Sequence, residues 1–380
     1  MAENKEKKVL NVPNLRFPEF EGEWQENYVN EICNEFKSGK AIKADLILDV
    51  GTYPVFGGNG LRGYTSTYNH DGLFVLIGRQ GALCGNVRSV IGKTYITEHA
   101  IAVNGNNKSD TNFLHYLFLQ MDLGRFSDQS AQPGLAVNKL LKLKVITPRI
   151  DEQRKIANLL RLLDERIATQ NKIIEKLESL IKGICNNYFL KLSHSQEMKS
   201  IRLGDILKER NEYCCKDGTF VHGTLSKDGL FPKTERWNRD FLVKEENKKY
   251  KITHLDDICY NPANLKFGVI CRNIYGDLIF SPIYVTFEVS KKVNIGFIEL
   301  YLTNRNFIEK IRKFEQGTVY ERMSVSPEDF LSYKIRIPSL SEQTFFYQKI
   351  QRLKNCSQNE LEHLNLYRKL RQYLLRQMFI

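Results

Sequence analysis

The chain of 380 residues carries 56 Lys and Arg against 44 Asp and Glu, a net charge of +12. Apolar residues at 42% and aromatics at 11% suffice for packed cores, which excludes a wholly disordered chain. No run approaches the ~18 apolar residues of a membrane span and the first twenty residues lack a signal-peptide core, so a soluble, cytoplasmic protein of about two domains is expected, its basic balance suited to a polyanion.

In chain order, an apolar run over 73–77 meets the turn Gly78-Arg79-Gln80-Gly81 and continues over 82–87, which predicts a hairpin. A short helix is expected over 111–123. An alternating strand through Leu140 and Val145 ends at Pro148, and Asp151 is expected to cap a long helix with acid in its first turn. That helix places apolar residues at Ile156, Leu160, Leu163, Ile167, Ile174, Leu177, Ile181, Ile184 and Tyr188, interrupted only by Gln170. Spacing alternately by four and three is a heptad seam, which calls for a helical partner. Its charges nearly cancel, so packing is its expected task rather than gripping a polyanion.

The same arrangement returns 190 residues later. A strand through Phe330 and Ile335 ends at Pro338, and Ser341-Glu342-Gln343 answers Asp151-Glu152-Gln153. The second helix keeps the register at Phe346, Ile350, Leu353, Leu364, Tyr367, Leu374 and Met378, with breaks at Ser357, Glu360 and Arg371. Two helices that each carry an unburied stripe pack most simply on each other, and the domain between them favours an antiparallel pair. The alternative is that each covers its own domain. Between the helices, strands are expected over 255–260, 268–272, 278–280 and 284–289, then a short helix over 307–314. Strands precede a helix in both halves, so one α+β plan is expected twice. The segments are 1–150 and 193–338 for the globular domains, with helices over 151–192 and 339–380.

The catalytic motifs fail on context. Gly58-Asn59-Gly60-Leu61-Arg62-Gly63 spells G-x-G-x-x-G, but no helical period follows it, so it reads as a flexible loop. Asn261-Pro262-Ala263-Asn264 lacks the second proline and aromatic of the amino-methyltransferase motif and reads as a turn. Glu246-Asn247-Lys248 reads as a solvated charge cluster, and Glu98-His99, an acid/base pair by composition, is expected as a structural pair instead. No histidines stand at metal-ligand spacing, and the eight cysteines, scattered without C-x-x-C, are expected as buried free thiols.

What remains is a recognition surface. The first domain interleaves Asn59, Arg62, Tyr64, Tyr68, Arg79, Gln80 and Arg88 with glycines, and the second offers Lys227, Lys233, Arg236, Trp237, Asn264, Lys266 and Arg272. Such residues can meet phosphates and base edges.

The chain resembles the specificity subunits of type I restriction-modification systems. The resemblance is carried by Val12-Pro13-Asn14-Leu15-Arg16-Phe17-Pro18-Glu19-Phe20 with Trp24, by Tyr53-Pro54-Val55-Phe56-Gly57-Gly58-Asn59-Gly60 and by Ile77-Gly78-Arg79-Gln80-Gly81-Ala82-Leu83-Cys84-Gly85-Asn86-Val87. The helix openings after Pro148 and Pro338 and the segment Leu203-Gly204-Asp205-Ile206 complete it. It implies two target-recognition domains separated by two long antiparallel coiled-coil helices, with a pseudo-twofold internal repeat. It also implies a non-catalytic chain that reads a split site on double-stranded DNA and docks two methyltransferase subunits and restriction subunits. S-adenosylmethionine, ATP and magnesium are then expected on those partners, with no cofactor or metal on this chain. The seam residues would serve both helix packing and subunit docking. A helix of about 40 residues spans about 60 Å, or about 17 base pairs, which sets an upper limit on the spacing of half-sites. Two rival functions stay open: a self-contained DNA methyltransferase or nuclease, and a coiled-coil scaffold that binds protein only.

Overall fold

The computed structural model describes residues 10–127, 134–196, 198–215, 219–233, 249–315 and 324–380. The chain divides into two compact units, Met1–Lys172 with Leu361–Ile380, and Ile173–Glu360, so each unit takes part of both long helices.

The first unit contains β1 (Gln25–Tyr28), α1 (Val29–Ile32), β2 (Cys33–Ser38), β3 (Tyr53–Gly57), β4 (Gly60–Thr65), β5 (Leu73–Gly78) and β6 (Val87–Ile91). It continues with β7 (Tyr95–Ile96), β8 (Ala100–Gly105), α2 (Thr111–Gln120), α3 (Val137–Leu140), β9 (Lys144–Thr147) and the first part of α4 (Ile150–His194). Its main sheet is antiparallel in the order β2-β8-β5-β6, beside a three-stranded sheet β4-β3-β7 and the pair β1-β9. Strand alternation divides β5 between two cores. Val75 and Ile77 pack with Phe113, Leu117 and Phe118 of α2, while Phe74 and Leu76 join Val90, Ile96 and Phe56 on the other face.

The second unit begins with β10 (Lys199–Arg202), β11 (Leu207–Glu209), β12 (Tyr213–Cys214), β13 (Val221–Ser226), β14 (Gly229–Pro232) and β15 (Tyr250–Thr253). Next come β16 (Ile258–Tyr260), β17 (Ile270–Arg272), β18 (Leu278–Phe280), β19 (Val285–Val289), α5 (Ile295–Leu302), α6 (Arg305–Ile311), α7 (Pro327–Ser332), β20 (Lys334–Ile337) and the first part of α8 (Leu340–Gln377). Its four-stranded sheet, β11-β19-β16-β17, repeats the connectivity of β2-β8-β5-β6, and β10-β20 repeats β1-β9. The expected α+β plan is therefore present twice. A stack of Tyr260, Phe287 and Phe330, with ring centroids 4.9 to 5.7 Å apart, centres the second core.

Both helix openings differ from expectation by two residues. The first helical N–H bonds run from Gln153 to Arg149 O (3.0 Å) and from Gln343 to Ser339 O (2.9 Å). Arg149 and Ser339 are thus the caps, and Asp151 and Ser341 lie within the first turn. At the second opening Glu342 accepts from the Ser339 N–H at 3.0 Å and closes a capping box on Ser339, two residues before the expected cap Ser341.

The long helices pack antiparallel within the first unit. Arg371 meets Asp164, Tyr367 meets Arg166 and Arg368 meets Asn171, so numbers fall along α8 as they rise along α4. Ile156, Leu160, Leu364 and Leu374 of the seam are buried here, and Leu163 and Ile167 half-buried. Gln170, which interrupts the seam, is fully buried. In the second unit Tyr188 stacks on Phe346 with centroids 3.8 Å apart, Ile350 is buried, and Ile174, Leu177 and Leu353 are half-buried.

Several local expectations fail. The strands expected through Leu140 and Phe330 begin only at Lys144 and Lys334, because Leu140 ends α3 and Phe330 lies within α7. The predicted hairpin over 73–87 is real, but its second strand starts only at Val87, leaving a broad connection from Arg79 to Asn86. The 58–63 segment is not a loop: β3 and β4 pair across it, and Gly60 and Gly63 take φ of +108° and +148°. Helix α5 escaped notice because its eight residues are almost all apolar and show no helical alternation. All eight cysteines are free thiols as expected, but Cys215 and Cys356 are exposed.

Candidate nucleic-acid interface

The Pro148 and Pro338 junctions repeat the same hydrogen-bond chemistry. Gln153 is fully buried, donating to Pro148 O at 2.9 Å and Lys108 O at 3.0 Å. Its Oε1 accepts from Asp110 N at 2.9 Å and Ser109 Oγ at 3.1 Å. Gln343 donates to Pro338 O at 2.9 Å and accepts from Asn294 N at 2.9 Å. Each glutamine thus locks a long helix to the N-cap of the short helix that follows the main sheet, since Asp110 caps α2 and Asn294 caps α5.

At the first junction Glu152, 2% exposed, takes a bidentate pair from Arg16, with Nε to Oε1 and Nη2 to Oε2 both at 2.8 Å, and accepts from Trp24 Nε1 at 3.2 Å. The Glu152 hydrogen bond raises the Arg16 pKa above its ordinary value, outweighing partial burial. The N-terminal residues that carry the resemblance are therefore a joint that ties the chain's start to α4.

The candidate reading residues of the first unit converge around the β3–β4 hairpin tip. Glycine permits close approach here: a Cβ on Gly58 would lie 2.7 Å from His99 O and 3.1 Å from Gly78 Cα. A Cβ on Gly60 would lie 2.4 Å from Arg88 Nη1, so the Arg88 guanidinium lies against the tip. Behind the tip, Arg79 N donates to His99 O at 3.0 Å, and Leu135 N donates to Arg79 O at 2.9 Å. Asn59, Arg62 and Gln80 are exposed, while Tyr64, Arg79 and Arg88 are half-buried. Among the described residues, none of Arg62, Arg79 and Arg88 has a carboxylate partner within ion-pair distance, and Arg88 Nε is buried without a hydrogen bond. Tyr68 belongs to a neighbouring aromatic group, 5.0 Å from Tyr53 and under Lys93 Nζ at 4.9 Å.

His99 joins this cluster, although the sequence suggested only a structural pair with Glu98. Its Nε2 lies 3.2 Å from Glu98 Oε1 and its Nδ1 lies 3.1 Å from Gln80 Oε1. Its place here left no trace in the sequence, because Gln80 and Gly58 approach it from distant connections in the chain.

In the second unit, Asn264 and Lys266 sit in the β16–β17 connection, the topological counterpart of the Arg79–Asn86 connection between β5 and β6. This connection is the predicted turn at Asn261, now seen as a 3-10 helix over Pro262–Phe267 whose cap Asn261 accepts from Ala263 N at 3.1 Å. Phe267, 66% exposed under Lys266 Nζ at 5.3 Å, adds an aromatic to this connection beyond the residues expected there. Lys227 and Lys233 are exposed at the ends of β14. Arg272 is instead committed inside the unit, with Nη2 2.7 Å from Asp256 and Nη1 3.8 Å from Glu299. That pairing corrects its assignment as a free reading charge. Arg236, Trp237 and the Glu246-Asn247-Lys248 cluster lie outside the described residues.

A family model described as the type I restriction modification DNA specificity domain matches residues 21–179, and this span contains the whole cationic cluster. The type I restriction enzyme EcoprrI specificity subunit of Escherichia coli is 42% identical over 175 residues, which cover 45% of this chain and 42% of that protein. The matched region is thus similar to the DNA specificity domain of type I restriction-modification specificity subunits. A relative from Haemophilus influenzae, also named as a type I specificity subunit, is 26% identical over 341 residues and 85% of each chain. The crystal structure of a type I restriction-modification S subunit from M. genitalium shares the fold, with a TM-score of 0.65 over 97% of this chain and 99% of that one, at 18% identity. A chain from a structural study of type I complex assembly matches with a TM-score of 0.54 over 93% of this chain and 96% of its own, at 13% identity.

Among the described residues no cluster of three or more His, Cys, Asp or Glu is placed to hold a metal ion, and no helix is long and apolar enough to cross a membrane.

Proposed function

We propose that this chain gives a type I restriction-modification complex its DNA sequence specificity. In this function each unit reads one half of a split duplex site, the long helices fix the gap between halves, and two methyltransferase subunits dock on the helices. Restriction subunits complete the assembly. S-adenosylmethionine, ATP and magnesium are carried by those partners, and the chain itself performs no chemistry.

The observation that carries the proposal is the cluster of Arg62, Arg79 and Arg88 around the Asn59 tip, without carboxylate partners among the described residues and inside the span matched by the DNA specificity domain. Charged side chains left without carboxylate partners are free to meet phosphates or guanine edges, where each good bidentate base contact discriminates by about 1–3 kcal/mol. The β16–β17 connection, with Asn264, Lys266 and Phe267, is the candidate for the second half-site.

Duplex binding by the full chain tests this. Affinity should fall steeply with salt, log K against log salt having a slope of about −0.9 per phosphate engaged. A protein-only scaffold would show no such slope. A self-contained methyltransferase would bind S-adenosylmethionine in calorimetry on the isolated chain.

A further inference from the structure

We propose that His99 is a positioning residue for base recognition, setting which end of the Gln80 carboxamide faces out of the β5–β6 connection. The proposal deepens the DNA-reading function above and rests on it.

His99 is well placed to hold Gln80. Its own backbone oxygen accepts the Arg79 N–H at 3.0 Å, and the hairpin tip at Gly58 closes over the same oxygen. Gln80 is bridged in turn to Gly134 by the backbone. Ring and carboxamide therefore leave adjoining, fixed stretches of chain.

The pairing of Nδ1 with the Gln80 carboxamide has two solutions. Glu98 Oε1 lies within ion-pair distance of Nε2 at 3.2 Å and, as a carboxylate, can only accept, which favours a hydrogen on that nitrogen. In the arrangement seen, Nδ1 faces Gln80 Oε1 at 3.1 Å, and a carboxamide oxygen also only accepts. Nδ1 must then donate as well, and the Gln80 NH2 group is left outward, offering donors to guanine O6 or N7, to thymine O4 or to adenine N7. If Nδ1 carries no hydrogen, its lone pair takes an N–H from Gln80 and the carboxamide turns end for end. Oε1 then faces outward and accepts from the exocyclic amine of adenine or cytosine. A histidine that touches no base would in this way choose the class of base edge read at one position.

The test is selection from a randomised duplex pool by the full chain and by His99→Ala, His99→Asn and Gln80→Ala variants. His99→Ala should lower discrimination about tenfold at one position of one half-site, the position also lost in Gln80→Ala. Other positions and the other half-site should keep their preferences. His99→Asn, whose amide can donate from the place of Nδ1, should restore the preference. An unchanged base preference in His99→Ala, or a loss spread evenly over the half-site, would overturn the positioning role alone. If the unaltered chain enriches no sequence, the DNA-reading function fails and the positioning role falls with it.

Discussion

The Asp110 N–H donates to Gln153 Oε1 at 2.9 Å, binding the cap of a short helix to the first turn of a long one. Asn294 and Gln343 make the same bond at the same length in the second unit. A buried carboxamide with both ends satisfied adds little net stability, but removing it strands the partners it served.

Gln153→Leu should therefore destabilise the first unit by about 2–4 kcal/mol, because it strands two donors and two acceptors in a region closed to water. Gln343→Leu, with two bonds to lose rather than four, should cost the second unit about half as much. Urea unfolding of each variant checks both numbers, and equal losses would contradict the account.

Arg16→Ala leaves the Glu152 carboxylate buried with Trp24 as its remaining side-chain donor. A cost of about 3–5 kcal/mol is expected, since breaking a buried pair from one side leaves an uncompensated charge. The segment before β1 should also become sensitive to limited proteolysis. An Arg16→Ala, Glu152→Leu double variant should recover part of the loss in thermal melts.

His115 of α2 is largely buried, and burial with help from Arg371 lowers its pKa to about 4 from 6.5, against the opposing field of Asp164. The folded state thus favours the neutral ring. As pH falls below 6.5 the unfolded chain gains a proton that the folded unit refuses, so stability drains away until pH 4, by roughly 3 kcal/mol at the limit. His254 acts in the opposite sense: burial lowers its pKa, but bonds to Asp277 and Glu212 outweigh that and leave it raised. Its contribution is complete below 6.5 and fades as pH rises through the raised value. Thermal melts against pH should show acid loss in the first unit that His115→Phe flattens.

Gly60→Ala should separate folding of the hairpin from its use. The φ of +108° strains any side chain, and the added Cβ would displace the Arg88 guanidinium. A loss of about 1–2 kcal/mol in stability is expected, with weaker duplex binding as Arg88 moves. Arg79→Ala should leave melting unchanged and alter which first half-site is chosen.

Seven residues inserted into α4 preserve its seam but add about 10 Å, or about three base pairs. The selected half-sites should move apart by that amount, or binding should fail. An unchanged spacing would remove the helices from any ruler function.

Much of this was legible in the sequence because long helices repeat one signal many times. The alternation of fours and threes from Ile156 to Tyr188 survives the single break at Gln170, and the break itself is a buried side chain. Pairing between distant strands left no such trace: β1 meets β9 across about 120 residues, and alternation alone names no partner. Glycines hid the β3–β4 hairpin, since their value there is the absence of a side chain. The candidate interface was half legible. Arg62, Arg79, Gln80 and Arg88 stood out as charges among glycines, whereas His99 entered only through the fold and Arg272 left once Asp256 was seen beside it.

The most direct test of the central claim is a map of methylated adenines in the host genome, compared between cells with the gene intact and deleted. One split motif, two short half-sites at a fixed gap, should lose its methylation on deletion. Loss of a single continuous motif, or loss of none, would contradict it.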